Sequence, residues 1–398
     1  MPYFRWKGID LDGTIRAGRT CAASVEDLDT LLLGKDIALM SSRQLSTGLF
    51  ARPVSMEVKI QFFKSLATLL EAGVMMPEAL ALVAHHVKHI GFHELLYSLK
   101  REVETGILLN DAMAQHRHFF NPLMIEMVGI GYETGSLVAS LQRLVAYLET
   151  MAEFKKKIRM ALMMPLITFV FFVMIAAMLV VYVVPQFESF FTALKQPLPM
   201  STRMVLQMSN AIRAYGLYIV VFMGMVSALV LWLYRTNKKM RYACDRAMLS
   251  VPFFGPLLLT RLCAQISQAL ALLLEGGITV VHAFSIITSL VDNEVLRDVL
   301  IRVRHDIESG VLVSDALERR GKDYLGSDAI ALVRVGETSA TLAPMFAAAA
   351  RRYQSSVADT LQRLLNIMQP LVIILLGLLI TGLIMTIYVP IMSISWGV

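Results

Sequence analysis

The hydrophobic period changes along the chain, and each change marks a different kind of element. From Tyr3 to Leu45 short alternating runs (YFRWKGID, GTIRAGRT) are broken by Gly8 and Asp12-Gly13, which predicts a small β-hairpin followed by a short helix around Ser24 to Leu33. Ser24 and Asp27 have capping-box spacing, with Asp in place of the usual Glu or Gln. Ser46 to Ser55, which contains Gly48 and Pro53, has little periodicity and predicts a linker. From Met56 to Lys157 the period becomes helical. Phe62, Leu66, Leu69 and Leu70 share one face, and Gly73 is placed to stop that helix. Further helices are expected over Pro77–Lys88, His93–Glu104, Leu109–Gln115, Pro122–Tyr132 and Ser136–Phe154. Short helices at this density predict a compact all-α bundle.

The pattern then stops alternating. Met160 to Gln186 contains no charged side chain, and Tyr215–Tyr234 and Met368–Ile391 are similar uncharged runs. Roughly 20 apolar residues cross the hydrocarbon layer as a helix, so three spans are expected. Pro165 and Pro185 bracket the first with the same separation as Pro370 and Pro390 in the third.

That proline spacing is one sign of an internal repeat. Leu70-Glu71-Ala72-Gly73-Val74 matches Leu274-Glu275-Gly276-Gly277-Ile278, Glu104-Thr105-Gly106 matches Glu308-Ser309-Gly310, and Asn110-Asp111-Ala112 matches Ser314-Asp315-Ala316. After one inserted residue, Gly131, Leu137, Met163 and Val184-Pro185 match Gly336, Leu342, Met368 and Val389-Pro390. Tyr147 and Tyr353 miss the register by one and are not counted. A helical bundle joined to a membrane helix is therefore present twice in the same direction. The resulting map is a small α+β piece at 1–50, a first bundle at 56–158, spans at 160–184 and 215–234 around a loop at 185–214, a second bundle at 235–367, a third span at 369–390 and a tail at 391–398.

Composition and charge support a membrane class. The 398 residues are 56% hydrophobic, against ~45–50% in ordinary soluble proteins, with mean hydropathy +0.60. The net charge of +6 could point to nucleic acid, but no reader motif accompanies it, and no nucleic-acid partner is expected. Lys155, Lys156, Lys157 and Arg159 precede the first span and Arg235, Lys238, Lys239 and Arg241 follow the second. This places both bundles and the N-terminus in the cytoplasm and the 185–214 loop and the tail outside it. The three cysteines form neither a disulfide framework nor a zinc site. The first residues lack a signal-peptide pattern, so no cleavage is expected and the first domain stays in the cytosol.

Candidate chemistry is sparse. His85, His86, His89 and His93 have spacings that could gather imidazoles on one helix face, but a solvated helix end is the simpler reading. Their matches Ser289, Leu290, Asn293 and Arg297 do not repeat the feature. The segments Gly131-Tyr132-Glu133-Thr134-Gly135-Ser136 and Gly336-Glu337-Thr338-Ser339-Ala340-Thr341 hold corresponding places between helices. A glycine opening the turn and a hydroxyl before the next helix suit a helix stop and N-cap, and the carboxylate could instead hold a cation or a partner's basic group. No phosphate loop, GxSxG or HExxH occurs, so no catalysis, metal or cofactor is expected. The spans carry no Asp, Glu, Lys, Arg or His, which argues against ion-coupled transport.

In sequence order, Leu70-Glu71-Ala72-Gly73-Val74 with its echo, Met164-Pro165, Val184-Pro185-Gln186-Phe187, Leu198-Pro199, Pro252-Phe253-Phe254-Gly255-Pro256-Leu257, Gly336-Glu337-Thr338-Ser339, Met368-Gln369-Pro370 and Tyr388-Val389-Pro390-Ile391 resemble the GspF/PilC family. Those are inner-membrane platform proteins of type II secretion and type IV pilus machines. The resemblance covers almost the whole chain. It implies a mainly α integral membrane protein with two repeated cytoplasmic bundles, three transmembrane helices and a small N-terminal β-containing piece, in the bacterial inner membrane. It also implies a non-enzymatic platform that couples a cytosolic assembly ATPase to insertion of pilin or pseudopilin subunits, working with other inner-membrane assembly proteins and membrane lipid, and self-associating. The motif residues carried by the resemblance are Glu71, Gly73, Gly131, Glu133, Gly135, Glu275, Gly277, Gly336 and Glu337, with the span prolines Pro165, Pro185, Pro370 and Pro390. Three departures stand out: Tyr132 occupies the family's Glu position, with the acid one place later at Glu133, Gln369 replaces a usual Glu, and Gln265 a common Arg. A membrane receptor with signalling bundles is the alternative reading.

Overall fold

The computed structural model describes residues 3–10, 13–21, 25–34, 37–45, 54–87, 89–178, 214–215, 218, 221–227, 229, 232–234, 236–252 and 254–395. Residues 185–213 of the expected loop, with Pro185 and Leu198-Pro199, and also Pro53 and the Ser24 cap, lie outside the described residues. The chain divides into two compact units, Met1–Leu148 and Glu149–Val398.

The first unit opens with β1 (Tyr3–Asp10), β2 (Ile15–Cys21), α1 (Val25–Leu33) and β3 (Ile37–Leu45). The strands form an antiparallel sheet in the order β2-β1-β3. The alternating pattern predicts only a hairpin. The third strand escapes it because IALMSSRQL groups four apolar residues before a polar run instead of alternating them. Phe4 and Trp6 alternate inward from β1 and bury against Leu28 and Leu32 of α1 and Ile37 of β3. Gly18 pairs with Trp6, and a Cβ there would come within 2.6 Å of the indole.

The first bundle follows as α2 (Met56–Glu71), α3 (Met76–His86), α4 (Ile90–Glu104), α5 (Leu109–Ala114), α6 (Pro122–Glu133) and the start of α7 (Leu137–Met178). Ser55, placed in the linker by its lack of periodicity, is the N-cap of α2 and accepts from the Val58 amide. His89 caps α4 in the same way, accepting from the Phe92 amide, so α4 begins ahead of His93. His86 Nδ1 lies 3.0 Å from the Leu82 carbonyl. The core is aromatic: Phe62, Phe63, Phe92 and Phe120 are fully buried, with ring centroids 4.8 to 6.2 Å apart. Edge-to-face contacts of this kind add to simple burial.

The second unit contains α8 (Lys238–Ser250), α9 (Phe254–Glu275), α10 (Val280–Leu290), α11 (Glu294–Glu308), α12 (Val313–Leu325), α13 (Ser327–Thr338) and α14 (Leu342–Ser395). Its core holds the same register with different chemistry: Ile266, Ser267 and Leu296 stand where the first bundle has Phe62, Phe63 and Phe92, all buried.

Helix ends repeat closely. Gly73 (φ +81°) donates to the Leu70 carbonyl at 3.0 Å while Val74 donates to Leu69 at 3.0 Å; Gly277 (φ +88°) and Ile278 do the same to Leu274 and Leu273, each at 3.1 Å. Both are Schellman stops, in which only glycine enters the left-handed region without strain.

Helices Leu137–Ile175, Phe254–Glu275 and Leu342–Leu378 are long and apolar enough to cross a membrane, and Val221–Tyr234 is a shorter apolar helix. Their surroundings differ. None of the apolar window of the first and 6% of that of the third is buried within the chain, whereas 56% of the Phe254–Glu275 window is. Phe254–Glu275 is α9, the core helix of the second bundle, packed against α8, α10, α12 and α14. The expected break between bundle and span is also missing. α7 runs 42 residues and α14 runs 54, each passing uninterrupted from bundle into apolar segment with Pro165 and Pro370 inside the helix. Where the two helices leave their bundles, Phe154, Ile158, Ala161 and Leu162 of α7 pack around Val357 and Leu361 of α14 and Leu257 of α9.

At the turn before the last helix of each bundle, Gly135 has φ +63° and its counterpart Ala340 has φ +55°. An alanine there is strained by roughly 1 kcal/mol. Ala340→Gly is expected to stabilise the protein by about that amount and Gly135→Ala to destabilise it similarly. Denaturant titration of the detergent-solubilised chain, followed by circular dichroism, checks both signs.

Candidate functional site

The Gly-Glu segments that the sequence singles out lie at the junction of the last two helices of each bundle. In the second bundle Gly336 is in the last turn of α13 rather than opening the turn. It is buried because α14 crosses directly over it: a Cβ at this position would meet Leu342 Cα at 3.1 Å and Met345 Cγ at 2.7 Å. Gly131 holds the same place in α6, where a Cβ would meet Leu137 Cα at 2.8 Å and Ser140 Cβ at 3.1 Å. The left-handed turn residue falls four positions later, at Gly135 and Ala340. Ser136 and Thr341 follow at the helix starts, and their hydroxyls bond back to Thr134 (2.6 Å) and Ser339 (2.5 Å).

Glu337 occupies the next step of α13 and turns its half-buried carboxylate toward the first turn of α12. Oε1 accepts from the Val313 amide at 2.6 Å, and Oε2 from the Ser314 amide at 3.1 Å and the Ser314 hydroxyl at 2.7 Å. The N-cap residue Leu312 has no side-chain acceptor. A carboxylate 24 positions along the chain therefore satisfies amides that would otherwise be orphaned at the positive end of the helix dipole. The group is committed to capping.

The first bundle meets the same need with a different atom. Tyr132 stands in Glu337's place, and its hydroxyl bonds to the Leu109 backbone, the counterpart of Val313. Burial pushes the phenol above its usual range, while that hydrogen bond opposes the shift. A phenol offers one oxygen where the carboxylate offers two, and the Oδ1 of Asn110, at the position of Ser314, is buried without a partner. Glu133 lies exposed one step beyond and does not take over the capping role.

The remaining motif residues are simply placed. Glu71 is exposed at the end of α2 and accepts from Gln142 Nε2 of α7 at 3.1 Å. Glu275 is exposed at the end of α9. Pro370 is exposed on the apolar stretch of α14, and Pro165 is half-buried on that of α7. Gly224 and Gly377 lie open: a Cβ added at either would meet nothing within 4 Å. Sequence reasoning missed Ser314, Asn110 and Tyr132 as participants. The matching Asn110-Asp111-Ala112 and Ser314-Asp315-Ala316 triplets were the signal that could have found them.

A duplicated helical bundle, each copy ending in a helix that continues into an uncovered apolar segment, defines a membrane-embedded tandem-repeat protein. Residues 62–185 and 266–390 each match the family described as Type II secretion system (T2SS), protein F. The chain belongs to this family. It is 29% identical to the type IV pilus assembly protein PilC of Thermus thermophilus, an alignment covering 99% of this chain and 98% of that one. It is 26% identical to the type IV pilus assembly protein TapC of Aeromonas hydrophila (98% and 95%) and 25% identical to the type II secretion system protein F of Vibrio cholerae (99% of each).

Removing the Glu337 carboxylate leaves two amides without their acceptor, so Glu337→Ala is expected to cost about 2 kcal/mol. Tyr132→Phe, which loses one bond, is expected to cost about 1 kcal/mol. Equal effects at the two positions in denaturant titration would contradict this ranking.

Proposed function

We propose that the chain is the inner-membrane platform of a fibre-assembly machine. In this reading its bundles face the cytoplasm and contact a separate assembly ATPase, and its apolar helices hold pilin or pseudopilin subunits as they enter the fibre. The relatives named as pilus-assembly and secretion proteins support the setting. One observation carries the coupling: α7 and α14 are unbroken from bundle into apolar segment, so a displacement applied to a bundle moves the membrane part of the same rod. The cluster at Phe154, Ile158, Val357 and Leu361 joins the two rods at the place where such a displacement would pass.

The orientation follows from charge. Lys155, Lys156 and Lys157 are exposed just before the apolar part of α7, and Lys238 and Lys239 are exposed just after Val221–Tyr234, which supports a cytoplasmic position for both ends. The uncovered apolar faces are available to lipid, to a pilin helix or to a second copy of the chain. The proposed work is mechanical rather than catalytic.

The test is genetic. Deleting the gene should abolish surface fibres seen by electron microscopy while the ATPase is still produced. A Gly-Gly-Ser insertion after Asn366, which breaks the α14 rod, should do the same although the protein remains in the membrane fraction. Fibres persisting in the deletion strain would refute the platform role. Fibres persisting with the insertion alone would refute rod-like coupling.

A further inference from the structure

The second unit contains a cleft, one wall of which is α8, the helix that follows the extra apolar helix. The cleft has a volume of about 350 Å³ and lies between Lys238, Lys239 and Tyr242 of α8 and Arg297 and Ile301 of α11. Such a volume is in the range of small-ligand sites. Lys238 comes four residues after Tyr234, the last residue of the apolar helix, so the cleft opens where that helix leaves the hydrocarbon.

The walls are held rigidly. The carboxylate of Asp245, only 3% exposed, accepts from the Tyr234 hydroxyl at 2.9 Å and from the Glu294 amide at 2.8 Å, tying the end of the apolar helix, α8 and the start of α11 together. Arg241 donates to the Asp292 carbonyl at 2.7 Å, and its guanidinium lies 5.7 Å from the centre of the Tyr234 ring.

Two acids also line the cleft, and both are already engaged. Glu294 pairs with Arg297 at 2.6 Å and with Arg241 at 3.4 Å, and Asp298 pairs with Arg302. The two exposed lysines are thus left as the charges that set the sign of the site. Tyr242 and Ile301, 38% and 43% exposed, add an apolar side to this basic one.

We propose that the cleft binds the phosphodiester headgroup of an anionic phospholipid. Lys238 and Lys239 supply the attraction, Arg297 is committed to Glu294 and the Val291 carbonyl, and Tyr242 with Ile301 takes the glycerol end of the acyl chains. Lipid is favoured over free phosphate by the cleft's position at the end of an apolar helix and by its apolar side. The proposal rests on membrane insertion alone and stands or falls independently of the assembly role.

The test uses the purified full-length chain in detergent, with binding of dioleoylphosphatidylglycerol and dioleoylphosphatidylcholine read by native mass spectrometry. The anionic lipid is expected to bind about tenfold more tightly. K238Q/K239Q should abolish that preference, K238R/K239R should keep it, and R319Q/K322Q, with the same charge change on α12, should leave it intact. Glycerol 3-phosphate and inorganic phosphate at equal concentration should not displace the lipid. Preference retained in K238Q/K239Q, preference lost in the arginine pair, equal binding of the two lipids, or displacement by either soluble phosphate would each overturn the proposal.

Discussion

Every peptide group that enters hydrocarbon must find its hydrogen-bond partner within its own segment, and this constraint organises the molecule. α7 and α14 meet it by remaining helical from a solvated bundle into an apolar stretch free of charged side chains. A change of element at the membrane surface would leave helix-end amides and carbonyls to be satisfied there. Running straight through avoids those ends, and it makes the bundle and its membrane segment mechanically one piece. The proline within each helix forfeits an amide, and both helices continue through it.

Each bundle must then close onto a rod it cannot interrupt. Gly131 and Gly336 let the final helix cross with its backbone nearly touching the preceding one, and the polar step after each glycine fastens that pair to a third helix. The two copies share the geometry but not the chemistry. Glu337 brings charge and two acceptor oxygens to the 13-residue α12, while Tyr132 brings one neutral oxygen to the six-residue α5. The weaker cap accompanies the shorter helix. The first bundle has four packed phenylalanines, three of them at positions where the second has Ile266, Ser267 and Leu296.

Much of this architecture was legible in sequence because duplication offers two readings of one pattern. The helix stops at Gly73 and Gly277 could be anticipated from local chemistry, since a positive φ selects glycine wherever it occurs. The junction was only half legible. The correspondence of Gly131 with Gly336 marked the place, but their role as close-approach residues within a helix depends on what crosses above them. Likewise, Ser314 and Glu337 are 23 residues apart and belong to no local motif. β3 was missed for a related reason: it is held as a strand by its pairing with β1 and by Ile37 under α1, not by its own alternation.

The helix Phe254–Glu275 shows what hydropathy lacks as a criterion. It is as apolar as a spanning helix, yet over half of its apolar window is buried by its own bundle. Its counterpart in the first copy, Met56–Glu71, carries Glu57, Lys59 and Lys64, where the second copy has Arg261, Cys263 and Gln268. Lys59 is half-buried, and desolvation holds its ammonium below the usual lysine range, so the first copy already bears the cost of charge at that site. Cys263 in its place, fully buried and with its thiol pushed up to about 12, removes the cost and raises the helix's apolarity. Average hydropathy measures how little contact with water a helix requires, and a core and a bilayer both meet that condition. Register against a second copy of the same module separates the two cases, because a span cannot align with a helix whose partner carries charge on several faces.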